Sequence, residues 1–152
     1  MKAAELGLNS SQYHVGWHYK YGIGVEQSYE KSLKWLNRAV DKEENMARSI
    51  LGDTYEKGLG VERSYTKAAE LYSMAAENEN PEGLVLLGHL HVRGLGVEKS
   101  DKKAYELYEQ GVNHLLGNLA VDILKTVAEE YDGIAMFVLG ECYEEGLNVE
   151  PS

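Results

Sequence analysis

Residues 51–61, Leu-Gly-Asp-Thr-Tyr-Glu-Lys-Gly-Leu-Gly-Val, contain the pattern that decides the fold of this chain. Their last four residues, Gly-Leu-Gly-Val at 58–61, have copies at 22–25 and 94–97, which lie 36 residues away on either side (58 − 22 and 94 − 58). A fourth, imperfect copy at 146–149 follows after 52 residues (146 − 94). A fixed period of this length is typical of repeat proteins, in which one supersecondary unit stacks on its neighbours.

A glycine also recurs six residues before each of these loops, in the middle of a predicted helix. Glycine in a helix interior costs roughly 1 kcal/mol relative to alanine, so its recurrence indicates that a neighbouring helix crosses too closely for a Cβ atom. The loop glycines end the helix, because they can adopt a positive φ. The glycines predicted to be structural are Gly16, Gly22, Gly24, Gly52, Gly58, Gly60, Gly88, Gly94, Gly96 and Gly140.

Each unit is predicted to be helix, glycine loop, helix and short turn. Apolar and small residues at helical spacing predict a first helix over about 9–20, 45–56, 81–92 and 133–144. The second helix begins at a serine, whose hydroxyl can accept from the open amides of the first turn. The second helices are predicted over about 28–42, 64–78 and 100–115.

With Lys67-Ala68 and Ala75-Ala76 behind its loop, the stretch 51–61 resembles a Sel1-like repeat, an αα-hairpin related in shape to the tetratricopeptide repeat. The resemblance covers nearly the whole chain and implies an all-α, right-handed α-solenoid that acts as an adaptor between proteins. Two departures stand out: serine replaces the aspartate that often caps the second helix, and Asn148 replaces a loop glycine. A bacterial branch with one disulfide per hairpin is excluded, because Cys142 is the only cysteine.

The chain is predicted to be one domain that departs from its period once. The predicted repeats cover about 7–42, 43–78 and 79–116, with an insertion over 117–132 and a partial repeat over 133–152. We favour a degenerate repeat reduced to one helix, since Gly117-Asn118 is a natural stop for the preceding helix. The alternative is one long, kinked second helix.

The chain begins and ends in mid-repeat, without the polar capping helices that solenoids need. We therefore expect a piece of a longer array, or a module completed by a partner or by self-association through its uncapped ends.

Composition narrows the classes of partner. The net charge is −10 and no run of lysines or arginines occurs, which disfavours nucleic acid and favours another protein or peptide, in particular a basic one. No apolar stretch approaches the roughly 20 residues of a membrane span, so no membrane insertion is expected. The first residues show no secretory signal, and a single cysteine favours a reducing compartment such as the cytoplasm.

No catalytic constellation is apparent, so we predict neither enzyme activity, nor a cofactor, nor a metal. His14 and His18 have the four-residue spacing of a metal pair, but their columns are mostly packing positions elsewhere in the array. His89 and His91 point to different faces of a helix. Cys142 falls in a column of mostly apolar or small residues and is predicted to be a buried thiol.

Function is expected in the variable columns of the first helices, which line the concave face in the architecture that the resemblance implies. Trp17 stands in an otherwise polar column, so its indole is predicted to be exposed, where it would either anchor a partner or cover the N-terminal edge of the array. The residues predicted to form a protein-binding groove are Tyr13, Trp17, Lys20, Arg48, Asp53, Glu56, His89, Phe137 and Glu141.

These features predict a non-catalytic scaffold that binds a peptide or protein in its groove. Two alternatives remain: a regulatory or targeting segment of a larger enzyme, and a structural module that assembles end to end.

Overall fold

The computed structural model describes residues 12–114, 117–130 and 132–147. Within these residues the chain forms eight helices and no strand. In chain order the helices are α1 Gln12–Tyr21, α2 Tyr29–Asp41, α3 Asn45–Lys57, α4 Tyr65–Glu77, α5 Pro81–Arg93, α6 Asp101–Val112, α7 Gly117–Ala128 and α8 Gly133–Glu145.

The first six helices form three hairpins. The glycine loops join α1 to α2, α3 to α4 and α5 to α6, and the two helices of each pair pack together. Each second helix also packs on the first helix of the next pair, and the first helices α1, α3 and α5 stack side by side. The predicted all-α repeat solenoid is therefore confirmed.

The helix ends follow the local chemistry of the repeat. Ser28, Ser64 and Ser100 cap α2, α4 and α6, each accepting through its hydroxyl from a backbone amide three residues on, at 3.2 Å. The first helices α3 and α5 end at Gly58 and Gly94, whose φ values of 68° and 65° lie in the left-handed region. Local sequence thus sets where each helix begins and ends.

The glycine in the middle of each first helix marks a close crossing. A Cβ atom on Gly52 would lie 2.5 Å from Cε1 of Tyr72, and one on Gly88 would lie 2.6 Å from Cε1 of Tyr108. Both tyrosines belong to the second helix of the same hairpin and are fully buried. Gly16 meets Leu36 in the same way. The predicted close approach is confirmed at these three positions, whereas no described atom lies within 4 Å of the corresponding position at Gly140.

The region after the third hairpin differs from the prediction. Helix α6 ends at Val112, before the predicted end near residue 115, and Gly117 begins α7 rather than ending the preceding helix. The reason lies in the packing of α7: a Cβ on Gly111 would meet Ala120 of α7 at 3.3 Å. Because α7 already crosses α6 at Gly111, the chain turns directly after this point.

Helix α7 lies beside α5, where the first helix of a fourth hairpin would stack. It packs on α5, α6 and α8. Its buried face includes Ala120, Val121, Leu124 and Val127, whereas Leu119 and Ile123 are half-buried. Helix α8 packs on α6 and α7, so the insertion displaces it from the stack of first helices.

The crossing at Gly52 provides a test with a control in the same chain. We expect Gly52→Ala to lower the free energy of unfolding by about 1–3 kcal/mol, because the added methyl group overpacks a buried tyrosine ring. Gly140→Ala has open space and should raise it by about 0.5–1 kcal/mol through helix propensity. Urea denaturation measures both; equal effects of the two substitutions would contradict the close crossing.

Candidate functional site

A groove of about 650 Å³ runs over the face formed by α1, α3, α5 and α7. This volume falls in the range of pockets that hold ligands. Each of the first three hairpins contributes its first helix, and α7 supplies the wall at the far end. Helix α8 contributes no lining residue. The predicted arrangement of first helices around a shared face thus extends over three hairpins and ends at the insertion.

Most residues that the sequence assigns to the groove lie around it. Tyr13, Trp17, Lys20, Asp53, Glu56 and His89 are lining residues. Arg48, Phe137 and Glu141 are not, so their predicted placement in the groove is corrected.

These three residues have other surroundings. Arg48 is buried and donates from Nη1 to Oδ1 of Asn45 at 2.9 Å. Phe137 and Glu141 lie on α8 against Tyr105, whose hydroxyl donates to Oε2 of Glu141 at 3.1 Å. Phe137 and Glu141 lie outside the groove because α7 stands between α5 and α8.

Aromatic rings form the end of the groove at α1. The Trp17 ring meets His18 edge-on, with ring centroids 5.4 Å apart, and lies 5.3 Å from Tyr21. Trp17 is 36% exposed, in line with the exposure predicted from its column. Tyr13 packs on His14 with ring centroids 4.0 Å apart. The groove therefore offers a flat apolar surface with polar edges.

A buried ion pair supports the wall next to these rings. Lys20 is 2% exposed; its Nζ lies 2.5 Å from Oδ2 of Asp53 and donates to the carbonyl of Ile50 at 3.4 Å. Lys57 meets the other oxygen of Asp53 at 2.9 Å. Burial pushes the pKa of Asp53 up, but the two ammonium groups outweigh burial and lower it. Lys20 and Asp53 thus satisfy each other, and neither charge is free for a partner.

Polar contacts continue across the groove to α7. The hydroxyl of Tyr72 donates to Oε2 of Glu56 at 2.7 Å. Arg93 places Nη1 3.9 Å from a carboxylate oxygen of Glu56 and 3.9 Å from one of Glu130, just after α7. The side chain of Arg93 is partly exposed, so these ion pairs contribute little to stability individually. They do place opposite charges across neighbouring helices.

His89 ties the insertion to the third hairpin. Its Nδ1 lies 2.9 Å from Oδ2 of Asp132 and its Nε2 lies 3.0 Å from Oε2 of Glu130. Burial lowers the pKa of His89, but the hydrogen bonds to these two carboxylates outweigh burial and raise it above its ordinary value. The predicted groove residue His89 is therefore held by internal partners.

Asp132 joins three helices at one side chain. It accepts from His89 of α5 and from the hydroxyl of Tyr108 of α6, and it caps α8 by accepting from the amide of Ala135 at 2.9 Å. Burial raises the pKa of Asp132, yet these three hydrogen bonds lower it overall. A charged carboxylate with this many donors is well stabilised although it is buried. Nothing in the repeat pattern singled this residue out.

Several lining residues were not predicted. They are His14, Tyr21, Met46, Ile50, Lys57, Glu82 and Leu86 on the first helices, and Asp122, Ile123, Thr126, Val127 and Glu130 in or just after α7. The residues of α7 have no counterpart in the period, so no column identified them. Glu82 had a signal: its column otherwise holds Ser10, Met46 and Ile134, and only Glu82 is charged.

His18 and His91 make hydrogen bonds within the protein, and Cys142 is buried. The Nδ1 of His18 bonds the carbonyl of Ile23 at 2.9 Å, and the Nδ1 of His91 bonds the carbonyl of Glu98 at 2.9 Å. The thiol of Cys142 is buried as predicted, and burial raises its pKa. In the part of the chain that the structure describes, no three side chains of histidine, cysteine, aspartate or glutamate are placed to hold a metal. No helix of this part is long and apolar enough to span a bilayer.

The fold and the groove define an α-solenoid repeat protein. The Sel1 repeat model matches residues 9–43, 46–80, 81–114 and 133–152, and the chain belongs to the Sel1 repeat family. Members of this family are in general non-catalytic modules for protein–protein interaction.

Solved structures show the same architecture. A Sel1 repeat protein from Oxalobacter formigenes is 27% identical over 93% of this chain, with a TM-score of 0.65. A protective antigen of uropathogenic Escherichia coli with an SLR fold is 26% identical over 93%, also at 0.65. Helicobacter pylori cysteine rich protein B is 25% identical over 72%, at 0.60, and 83% of its own length is matched. The chain spans 64% and 34% of the lengths of the first two proteins.

The contacts of His89 predict a pH dependence of stability. Because the pKa of His89 is raised in the folded state, its contribution is complete below about pH 6.5, the unfolded value, and is lost as the pH rises through the folded pKa. We expect His89→Gln to lower the free energy of unfolding by about 1–3 kcal/mol at pH 6 and by less at pH 9. Urea denaturation at both pH values measures this.

His91→Gln is the matched control, because His91 bonds a backbone carbonyl rather than carboxylates. It should keep the pH dependence of the wild type. A His89→Gln variant whose deficit stays constant from pH 6 to pH 9 would contradict the proposed charge pairing.

Proposed function

We propose that this chain is a non-catalytic scaffold that holds a segment of another protein in the groove between α1 and α7. The observation that carries the proposal is the exposed ring of Trp17 at the end of an open groove of about 650 Å³. Large aromatic side chains in such positions supply much of the binding energy at protein interfaces. Family membership supports the same class of function.

The groove combines an apolar floor with charged walls. Met46, Ile50, Leu86, Ile123 and Val127 supply apolar surface, and rings at the α1 end extend it. This surface matches a segment that inserts apolar side chains from a helix or an extended chain.

The charge of the groove indicates the kind of segment it accepts. The lining contains five carboxylates, from Asp53, Glu56, Glu82, Asp122 and Glu130, against the two ammonium groups of Lys20 and Lys57. The whole chain carries a net charge of −10. Such a field speeds association with a basic partner and disfavours an acidic one.

The two tryptophans of the chain give a matched test of the groove. We expect Trp17→Ala to weaken partner binding at least tenfold, as for an interface anchor, without lowering the melting temperature. Trp35→Ala, on α2 and outside the groove, should leave binding unchanged. Affinity capture from a source-cell extract, followed by calorimetry with each purified captured protein, measures both.

Equal affinity of a purified partner for the wild type and for Trp17→Ala would overturn the groove proposal. A loss of stability with unchanged binding would instead assign Trp17 to covering the edge of the array.

A second candidate, end-to-end self-association, is favoured by the outer face of α8. Phe137 is 59% exposed, Met136 and Tyr143 are about half exposed, and Gly140 between them has no described atom near its Cβ position. In the other hairpins the corresponding glycine is covered by the second helix. The third candidate, docking of an attached enzyme domain, would use the same groove as the first.

Light scattering against concentration tests self-association. If the α8 face joins two copies, the apparent mass of the wild type should rise with concentration and that of Phe137→Lys should not, because a charge in the contact is unfavourable. Met74→Lys, at an exposed apolar position on α4, is the control and should behave as the wild type. A constant mass equal to one chain rejects this candidate.

A further inference from the structure

We propose that the groove selects its segment by seating a lysine or arginine side chain of that segment on the carboxylate of Glu82. The inference rests on the proposed function and deepens it, because it names the chemistry that the central part of the groove recognises. In this proposal Glu82 determines which segment binds, and the aromatic ring of Trp17 contributes separately to the affinity.

Glu82 lies in the first turn of α5, the groove helix that packs on both α3 and α7. It is a half-buried lining residue. Leu86 follows one helical turn later on the same face of α5, and Met46 fills the corresponding position on α3. Both are lining residues as well. The carboxylate is therefore set in a largely apolar part of the floor.

Three of the other four carboxylates in the groove already have partners within the protein. Asp53 holds two lysines, Glu56 accepts from a tyrosine, and Glu130 pairs with a histidine. Glu82 has no hydrogen bond or ion pair within the described residues. Asp122 also lacks a side-chain partner there, but it is exposed on α7. Glu82 is thus the half-buried acid of the groove whose acceptor oxygens remain open.

An open carboxylate in this position is unfavourable in the free protein. Burial and the negative charge of Asp53 raise the pKa of Glu82 to about 7, against the attraction of Lys20. Lys20 cannot approach further, because its ammonium is fixed between Asp53 and the carbonyl of Ile50. A cation brought by a ligand would supply the missing partner and recover the free energy that burial costs.

Lysine and arginine fit this place in shape as well as in charge. Their methylene stems pack on apolar surface while the charged head reaches a polar group. Met46 and Leu86 supply that surface beside Glu82. An apolar residue of the same segment would then reach the rings of Tyr13 and Trp17.

The affinity should depend on pH through Glu82. Since a bound cation favours the charged carboxylate, binding releases a proton where Glu82 is protonated in the free protein, and affinity rises from pH 6 to pH 8. The other titratable or charged groups that line the groove or lie next to Glu82 are Tyr13, His14, Lys20, Tyr21, Asp53, Glu56, Lys57, Tyr72, His89, Asp122 and Glu130. His89 acts in the same direction, because the loss of its positive charge as the pH rises through its pKa makes the groove more negative. Comparison with Glu82→Gln therefore isolates the contribution of Glu82.

The test uses a library of random dodecapeptides displayed on phage, selected on the wild type and counter-selected on Trp17→Ala. The tightest peptide is synthesised with and without its basic residue, which methionine replaces. Calorimetry then compares the two peptides on the wild type, on Glu82→Gln and on Glu106→Gln, an exposed glutamate of α6 that lies outside the groove.

We expect the methionine peptide to bind the wild type and Glu106→Gln about 10- to 100-fold more weakly, as for loss of a charge-assisted hydrogen bond. On Glu82→Gln the two peptides should differ less than about threefold, and the rise in affinity from pH 6 to pH 8 should shrink. Glu82→Gln should also melt at a higher temperature than the wild type at pH 8, because it removes a carboxylate that is charged without a partner. Higher stability together with weaker binding separates a binding role from a structural one.

Two results would overturn the inference in distinguishable ways. The first result concerns peptides whose binding depends on Trp17. If the basic and the methionine peptide bind the wild type equally, or if their affinities differ as much on Glu82→Gln as on the wild type, the role of Glu82 is rejected and the groove function stands. A library that yields no peptide distinguishing the wild type from Trp17→Ala rejects peptide capture in this groove, and the Glu82 inference with it.

Discussion

The close crossing of the two helices of a hairpin is the contact on which the rest of the structure depends. A glycine without a side chain lets the partner helix approach, and a large residue of that helix fills the space. In the second hairpin, Gly52 faces Tyr72, whose hydroxyl continues past the crossing to reach Glu56 in the groove wall. In the third, Gly88 faces Tyr108, whose hydroxyl reaches Asp132. The same contact thus packs the hairpin and places a hydroxyl group against an acidic side chain, which explains why tyrosine suits this column.

The insertion changes what the repeated contacts build. Helix α7 takes the place beside α5, and Asp132 then holds the start of α8 against α5 and α6. His89 completes this junction from inside the groove. Burying the charged carboxylate of Asp132 costs little free energy, because each of its three hydrogen-bond donors favours the charged form. The displaced position of α8 follows from the packing of α7 together with this one residue.

Sequence and structure agree wherever the information is local and repeated. The serine caps, the left-handed glycines and the close crossings recur in each hairpin, so comparison between copies reveals them. Tyr13 and Trp17 were found because the first helices keep one face turned to the groove. Phe137 and Glu141 occupy the same columns as Tyr13 and Trp17 but lie outside the groove. The sequence could not predict this, because α7, which displaces α8, has no copy in the repeat with which it can be compared. The ion pair between Lys20 and Asp53 joins two hairpins. It could not be predicted by comparing columns, because the two residues stand in different columns and meet only in the folded structure.

A regular solenoid presents the same surface at every repeat, so an elongated ligand can bind it in several registers that differ by one unit. Helix α7 removes this translational freedom, because it closes one end of the surface with side chains that no other unit carries. With aromatic rings at one end and α7 at the other, the two directions along the groove are chemically different. An inserted helix of twelve residues therefore gives a periodic surface a defined end and a polarity.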